Sequence, residues 1–306
     1  VTRRHEVEFP GEDGNTLAAW LYLPARPGPN PAVTMAHGFA ATREHGLDRF
    51  ARVLADAGFV VLVHDHRGFG GSSGVPRHDV DPWTQIADWR RAVSFLETRP
   101  EVDPERIGIW GTSYAGGHAV ILGATDSRLR CVVAQVPTTS GFEQSRRRVP
   151  ASAVAQLESS FCEDDRDRFR GELPARIAVV ATAPGMPAAY DDPQAVAFYT
   201  QPAAQHAWTN ELTLRSSRTA RMYEPSMWIA RVSPTPLLMI VALQDVITNT
   251  DLQLEAYERA LEPKSLVTVP GGHFAPYDAQ FSVASQAAVD WFLRHLDAHG
   301  HDPRTE

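Results

Sequence analysis

Cysteine is scarce: the 306 residues hold two, Cys131 and Cys162. Two cannot build a disulfide framework, and two free thiols fit a reducing compartment. Neither CxxC nor HExxH spacing occurs, so no metal is expected, and no other cofactor either. Lysine is nearly missing, with Lys264 the single one among 29 basic residues. The arginine excess reads as GC-rich codon usage, which also favours alanine, glycine and proline, rather than as selection for bidentate anion contacts. No basic stripe offsets the formal net charge of −8, which excludes nucleic acid and an anionic membrane surface as partners. The run Arg146-Arg147-Arg148 and the nearby Glu163-Asp164-Asp165 read as solvated helix faces. No apolar run approaches the ~18 residues of a membrane span. The opening Val1-Thr2-Arg3-Arg4-His5-Glu6 has no apolar signal-peptide core. A cytoplasmic location is the expectation. Hydrophobic residues at 43% and charged residues at 22% exclude intrinsic disorder.

What is there is an alternation. Apolar runs at 17–23, 31–36, 58–63, 106–110, 129–136, 236–243 and 265–269 are separated by amphipathic stretches. Several runs are apolar on both alternating faces, as strands covered on both sides must be. Between them, 45–57, 84–98, 116–124, 251–261 and 282–296 read as helices. In the second, Ile86, Trp89, Val93 and Leu96 fall at three- and four-residue steps and form one stripe. Strand–helix–strand alternation gives right-handed crossovers and a mostly parallel sheet. Residues 5–9 and 17–23, joined by the turn-rich 11–15, suit a hairpin. The rhythm breaks between Pro137 and Pro236, where a long stretch needs its own structure or function. It reads as a cap, residues 138–235, inserted into a core made of residues 1–137 and 236–306. Helical pieces are expected there at 152–161 and 202–222, with irregular chain around 184–193.

The chemistry concentrates in Gly111-Thr112-Ser113-Tyr114-Ala115-Gly116-Gly117, directly after an expected strand and opening an expected helix. That context suits a nucleophile elbow, with small residues letting strand and helix pass closely. The last glycine of G-x-S-x-G is replaced by Ala115, which is still small. Asp245 lies just past the 236–243 run and His273 just past the 265–269 run. Parallel strands bring the C-terminal ends of all three runs to one sheet edge, where ligands bind in open α/β folds. The order is serine, acid, histidine. His273 would take the Ser113 proton, and Asp245 would fix the imidazole tautomer. Asp251 is the next acid in line for that role. Backbone N–H groups of Tyr114 and of Phe39, in His37-Gly38-Phe39, are the expected oxyanion donors.

With these motifs the chain resembles the α/β-hydrolase superfamily over nearly its full length. The resemblance rests on His37-Gly38-Phe39, on Asp65-His66-Arg67-Gly68-Phe69-Gly70-Gly71-Ser72, on the Ser113 elbow, and on Asp245 and His273. It implies an eight-stranded, mostly parallel sheet flanked by helices, with a mainly helical cap. The Asp65–Ser72 segment is structural in that superfamily. More narrowly, residues 110–118, Ala134-Gln135-Val136-Pro137 and Gly272-His273-Phe274 resemble a serine-nucleophile, esterase-like subgroup with bacterial hydrolases and fungal polyketide transferases. Haloalkane dehalogenases and epoxide hydrolases are set aside because they place Asp at the elbow. The cocaine-esterase and X-prolyl-peptidase group is set aside because its members carry a C-terminal β-sandwich.

The expected activity is hydrolysis of a carboxylic ester, lactone or thioester of a hydrophobic small molecule, through an acyl-enzyme. A non-hydrolytic acyl transferase or cyclase of polyketide-type metabolism is the first alternative, and a catalytically silent binding protein the second. Phe39, Tyr114, Phe142, Trp208, Tyr223, Met227 and Trp228 are the candidate substrate wall, and Phe161, Phe198, Tyr199 and Met222 are candidates for it as well. His118, His64 and His66 read as buried structural histidines. A second copy of the chain is retained as a candidate partner.

Overall fold

The computed structural model describes residues 2–296. Its centre is an eight-stranded sheet. The first strands are β1 (Arg3–Pro10), β2 (Thr16–Leu23) and β3 (Asn30–Ala36), followed by helix α1 (Leu47–Asp56) and β4 (Val60–His64). Helix α2 (Pro82–Glu97), β5 (Val102–Thr112), α3 (Tyr114–Thr125) and β6 (Leu129–Gln135) come next. β1 and β2 pair antiparallel as the hairpin expected, and β2 meets β4 antiparallel. All other pairs in the sheet are parallel.

The chain leaves the sheet after Gln135 and returns at β10 (Leu237–Ala242), which pairs directly with β6. In between lie α4 (Gly141–Arg148), α5 (Ala151–Phe169), β7 (Arg176–Val180), β8 (Ala188–Tyr190), α6 (Pro193–Tyr199), β9 (Leu212–Thr213) and α7 (Leu214–Arg221). Helix α8 (Thr250–Arg259), β11 (Lys264–Val269) and α9 (Phe281–Leu296) complete the core, and the strand order is β1-β2-β4-β3-β5-β6-β10-β11.

The two-sided strands divide the core. Val33 and Met35 of β3, with Leu238 and Ile240 of β10, pack under α1 and α9 around Phe50, Trp110 and Phe292. Ala32, Ala36, Leu237, Met239 and Val241 point the other way, against α2, α3 and α8. α2 starts where Asp81 accepts hydrogen bonds from the Trp83 and Thr84 N–H groups, with Pro82 in the first turn. Its stripe Ile86, Trp89, Val93 and Leu96 is buried throughout, and the Trp89 indole donates to Thr34 Oγ1 at 2.9 Å. Each large apolar side chain so buried contributes about 1.5–3 kcal/mol. Both cysteines are free.

The inserted stretch is less helical than expected. A three-stranded sheet, β8-β7-β9, runs through it. Residues 202–222 do not form one helix, because Asn210 turns its side chain back on β7. Its amide accepts from Val180 N–H and donates to Val180 O, both at 2.9 Å. The insertion is fastened to the core by Arg215, whose guanidinium forks onto Asp79 at 2.7 and 2.6 Å. No helix among the described residues is long and apolar enough to cross a membrane.

Candidate active site

Ser113 sits between the last residue of β5 and the first of α3, at φ 57° and ψ −120°. A non-glycine residue held there is strained, and it persists only where its surroundings fix it. Ser113 N–H donates to Gln135 O at 2.8 Å, and Ser113 O accepts from Thr138 N–H at 2.9 Å. The turn also needs Gly111: a Cβ there would lie 2.1 Å from the carbonyl oxygen of Ala115. Ala115 is fully buried without such a conflict, so the missing last glycine of the motif does no harm.

Asp245 follows β10 and His273 follows β11. His273 Nε2 lies 3.0 Å from Ser113 Oγ, and its Nδ1 lies 2.8 Å from Asp245 Oδ2. All three residues are buried, at 8%, 3% and 4% exposure for Ser113, His273 and Asp245. Asp245 also accepts from the N–H groups of Ile247 and Thr248 at 2.8 and 2.9 Å. The Thr248 hydroxyl and the Gln253 amide donate to its Oδ2 at 2.7 and 3.1 Å. Burial opposes ionisation of Asp245, but His273 and these donors outweigh it and hold the carboxyl down at about 2. Asp251 has a different fate: its carboxylate is exposed and paired with Arg147 at 2.7 Å.

Gly38 lies against the nucleophile, since a Cβ there would come within 2.9 Å of Ser113 Cβ and 3.3 Å of Ser113 Oγ. Neither Phe39 N–H nor Tyr114 N–H has an acceptor among the described residues. The Asp65–Ser72 segment braces this loop: Asp65 Oδ1 accepts from Arg43 N–H at 2.8 Å, and His66 N–H donates to His37 Nε2 at 3.2 Å. His118 stands apart from Ser113's partners, between the Tyr223 hydroxyl at 2.6 Å and Gln85 at 3.0 Å. Burial pushes its imidazole down to about 3.

Ser113 and His273 themselves line a space of only about 10 Å³, walled also by Phe198, Tyr199 and Phe274, while a cavity of about 130 Å³ lies next to Ser113's neighbours, lined by Phe39, Tyr114, Gln144, Arg148, Tyr190 and Thr248 among others. Of the expected wall residues, Phe39 and Tyr114 line the larger cavity and Phe198 and Tyr199 the smaller, whereas Phe142, Trp208, Tyr223, Met227 and Trp228 line neither. Phe142 and Met227 are 55% and 62% exposed, on the outer side of the insertion. Trp228 faces a separate surface cleft beside α2, with Arg231 over its ring. Tyr223 packs behind Tyr114, and Trp208 packs on His45 and Tyr199. Aromatic identity marked burial or surface, and the fold of the insertion decided which. Arg148 also departs from the expected solvated helix face, because its guanidinium lies over the Tyr190 ring and lines the cavity of about 130 Å³. Gln144, Thr248 and Gln253 carried no signal in the sequence. A larger cleft of about 460 Å³ lies between residues 74–81 and the insertion. Its arginines Arg67, Arg168, Arg215 and Arg218 are paired with Asp88, Asp164, Asp79 and Asp165. Among the described residues no group of three or more His, Cys, Asp or Glu could hold a metal ion.

Sheet order, elbow and the Ser113–His273–Asp245 contacts together define an α/β hydrolase. The chain belongs to the family described as X-Pro dipeptidyl-peptidase (S15 family), whose model matches residues 13–275. This overturns the exclusion of that group above: the match runs through core and insertion and does not depend on an appended β-sandwich. Thiohydrolase aneE of Aspergillus aculeatus is 31% identical over 271 residues, covering 85% of this chain and 83% of the relative. Quorum-quenching protein AidA of Acinetobacter baumannii is 34% identical over 194 residues, 63% of each chain. The crystal structure of the α/β hydrolase GrgF from Penicillium superposes with a TM-score of 0.83 at 26% identity, covering 96% of this chain and 99% of that one.

Proposed function

We propose that the protein is a serine hydrolase of carboxylic esters or thioesters, lactones included, of hydrophobic small molecules. The observation that carries this reading is the hydrogen-bonded chain from Ser113 through His273 to Asp245, next to two unpaired amides. His273 Nε2 takes the Ser113 proton as Oγ attacks the carbonyl carbon. Asp245, ionised, stabilises the imidazolium. The oxyanion is held by Tyr114 N–H and Phe39 N–H. As the carbonyl is restored, the leaving alcohol or thiol departs with the proton from His273. Water then repeats the attack on the acyl-enzyme with His273 as base, releasing the acid and Ser113. Residues 138–235 act as the cap that encloses the acyl group. The aneE likeness favours thioesters among the substrates.

Acyl transfer to an alcohol instead of water is the second reading. The GrgF-like fold favours it, because a relative of that name, from Penicillium, is a polyketide transferase 27% identical to this chain.

Turnover of 4-nitrophenyl and thioester substrates tests the proposal. Ser113→Ala and His273→Ala should each lose roughly 10⁴-fold or more in kcat. Near-wild-type activity in either variant would sink the assignment. Adding alcohols and measuring the ester-to-acid ratio separates the two readings: a ratio indifferent to alcohol rejects transfer.

A further inference from the structure

Arg148 ends helix α4, and it is the one residue of the Arg146–Arg148 run that turns inward. Arg146 pairs with Glu143 and Arg147 with Asp251, both at 2.7 Å. The Arg148 guanidinium instead lies 4.6 Å over the ring of Tyr190 and donates from Nη2 to Ile247 O at 3.0 Å. It makes no ion pair with any described residue. The cavity it lines, about 130 Å³, has no Asp or Glu among its described lining residues. The other cation there, Arg221, is neutralised by Glu158 at 2.7 Å. One positive charge in the cavity is therefore uncompensated.

Two hydroxyls of the same lining give an independent indication. Tyr114 is 4% exposed, and its phenol oxygen has no hydrogen-bond partner. The Ser217 hydroxyl, also in the lining, has none either. Buried polar groups are normally satisfied, so a cation and two unsatisfied hydroxyls around one space point to an oxygen-rich occupant. The space adjoins the reacting centre: Phe39 and Tyr114 line it, and so does Thr248, which donates to Asp245. At ~30 Å³ per water its volume equals about four waters, enough for a short chain and a terminal group.

We infer that this cavity is an anion subsite, and that Arg148 selects substrates bearing a carboxylate a few bonds from the scissile carbonyl. The inference rests on the hydrolase reading above. A planar carboxylate matches the guanidinium fork, and the Tyr114 and Ser217 hydroxyls can donate to its oxygens or to a nearby keto or hydroxyl oxygen. The carboxylate can belong to the acyl part or to the leaving group.

The test compares matched charged and neutral esters on the 306-residue protein. Mono-4-nitrophenyl adipate against 4-nitrophenyl hexanoate places the charge on the acyl side. 4-Carboxyphenyl hexanoate against phenyl hexanoate places it on the leaving group. Wild type should favour the charged member of one pair in kcat/KM, and the favoured pair identifies the side. In Arg148→Gln that charged-to-neutral ratio should fall about tenfold or more, as expected for a lost charge-assisted bond. Arg148→Lys should keep part of it. Arg147→Gln, on the surface, should keep all of it. A role confined to propping Ile247 would lower both members equally and leave the ratio intact. A ratio unaltered in Arg148→Gln, or no charged preference in either pair, overturns the inference. Hydrolysis of the neutral esters, abolished in Ser113→Ala, shows separately whether the hydrolase reading stands.

Discussion

The phenol of Tyr199, at the end of α6, donates a 2.5 Å hydrogen bond to the carbonyl oxygen of Phe39, in the loop after β3. One residue further on, Ala40 O accepts from the Trp208 indole at 2.8 Å, and Ala40 itself holds a positive φ of 51°. Two aromatic side chains of the insertion therefore fix the loop that carries a proposed oxyanion donor. Tyr199→Phe leaves the Phe39 carbonyl unpaired and lets that loop shift. We expect kcat on a short ester to drop about tenfold, less than the 10²–10³ lost when an oxyanion donor is removed outright. KM should change little. Michaelis parameters on 4-nitrophenyl acetate check this, and a wild-type kcat would show that the loop keeps its shape without the phenol.

Gly38 makes a sharper prediction. A methyl group at this position would lie 2.9 Å from Ser113 Cβ and 3.3 Å from Oγ. Gly38→Ala must push the loop and the nucleophile apart, by a few tenths of an ångström at least. Activity should fall by about 10²-fold, as small misplacements of reacting groups do. The melting temperature should move only a few degrees. A Gly38→Ala enzyme with full activity would contradict the close approach.

Asp245 and Asp251 are six positions apart, and both were candidate acids. Asp245 collects donors from His273, Thr248, Ile247 and Gln253, whereas Asp251 faces solvent opposite Arg147. Asp245→Asn should cost about 10⁴-fold in kcat through the wrong imidazole tautomer. Asp251→Asn should stay within about twofold. Thr248→Val tests the support behind the pair. Its hydroxyl donates to Asp245 Oδ2 and lies 3.3 Å from His273 Nδ1, so we expect a loss of about tenfold in kcat with an altered pH–rate profile. Equal losses in the two Asn variants would mean that the acid has been misassigned.

The core was legible because its signals are long and redundant. Runs such as Leu237–Ala242 are apolar on both faces, and α2 carries a four-residue stripe between a capping Asp81 and its last buried turn. Ser113, Asp245 and His273 could be placed because each follows a strand end, and parallel strands share an edge. The insertion was not legible in the same way. Its strands β8 and β9 are three and two residues long, too short for any periodicity to show. Asn210 replaces helix hydrogen bonds with side-chain bonds to Val180, a choice settled by a residue thirty positions away. Arg148 looked like its neighbours in the sequence. Only the end of α4, turned toward Tyr190 and Ile247, separates it from Arg146 and Arg147.

Beneath the loop after β3 and around it, five imidazoles are buried: His37, His45, His64, His66 and His118. Burial is the main cause that pushes them down, to about 4 for His37 and His45, about 3 for His64 and His118, and well below the ordinary value for His66. They are neutral in the folded protein, while the unfolded chain takes up protons near pH 6.5. The unfolded state therefore binds more protons below that pH, and stability rises with pH through this window and falls as acid is added. The loss begins as pH falls through about 6.5 and continues until the folded-state values are reached. At pH 5 each of the four held near 3 or 4 costs about 2 kcal/mol, so together they remove about 8 kcal/mol, comparable with the 5–15 kcal/mol that typically holds a domain together. Asp245 acts in the same sense, but its contribution is lost only as pH falls from about 3.8 toward 2, so it does not cause the earlier decline. Urea unfolding followed by circular dichroism at pH 7.5, 6 and 5 should show a steep decline across these three points. The native state should be lost near pH 5 or just below. Stability constant within about 1 kcal/mol from pH 7.5 to 5 would mean that the imidazoles gain protons without unfolding, and that the buried cluster is wetter than its packing indicates.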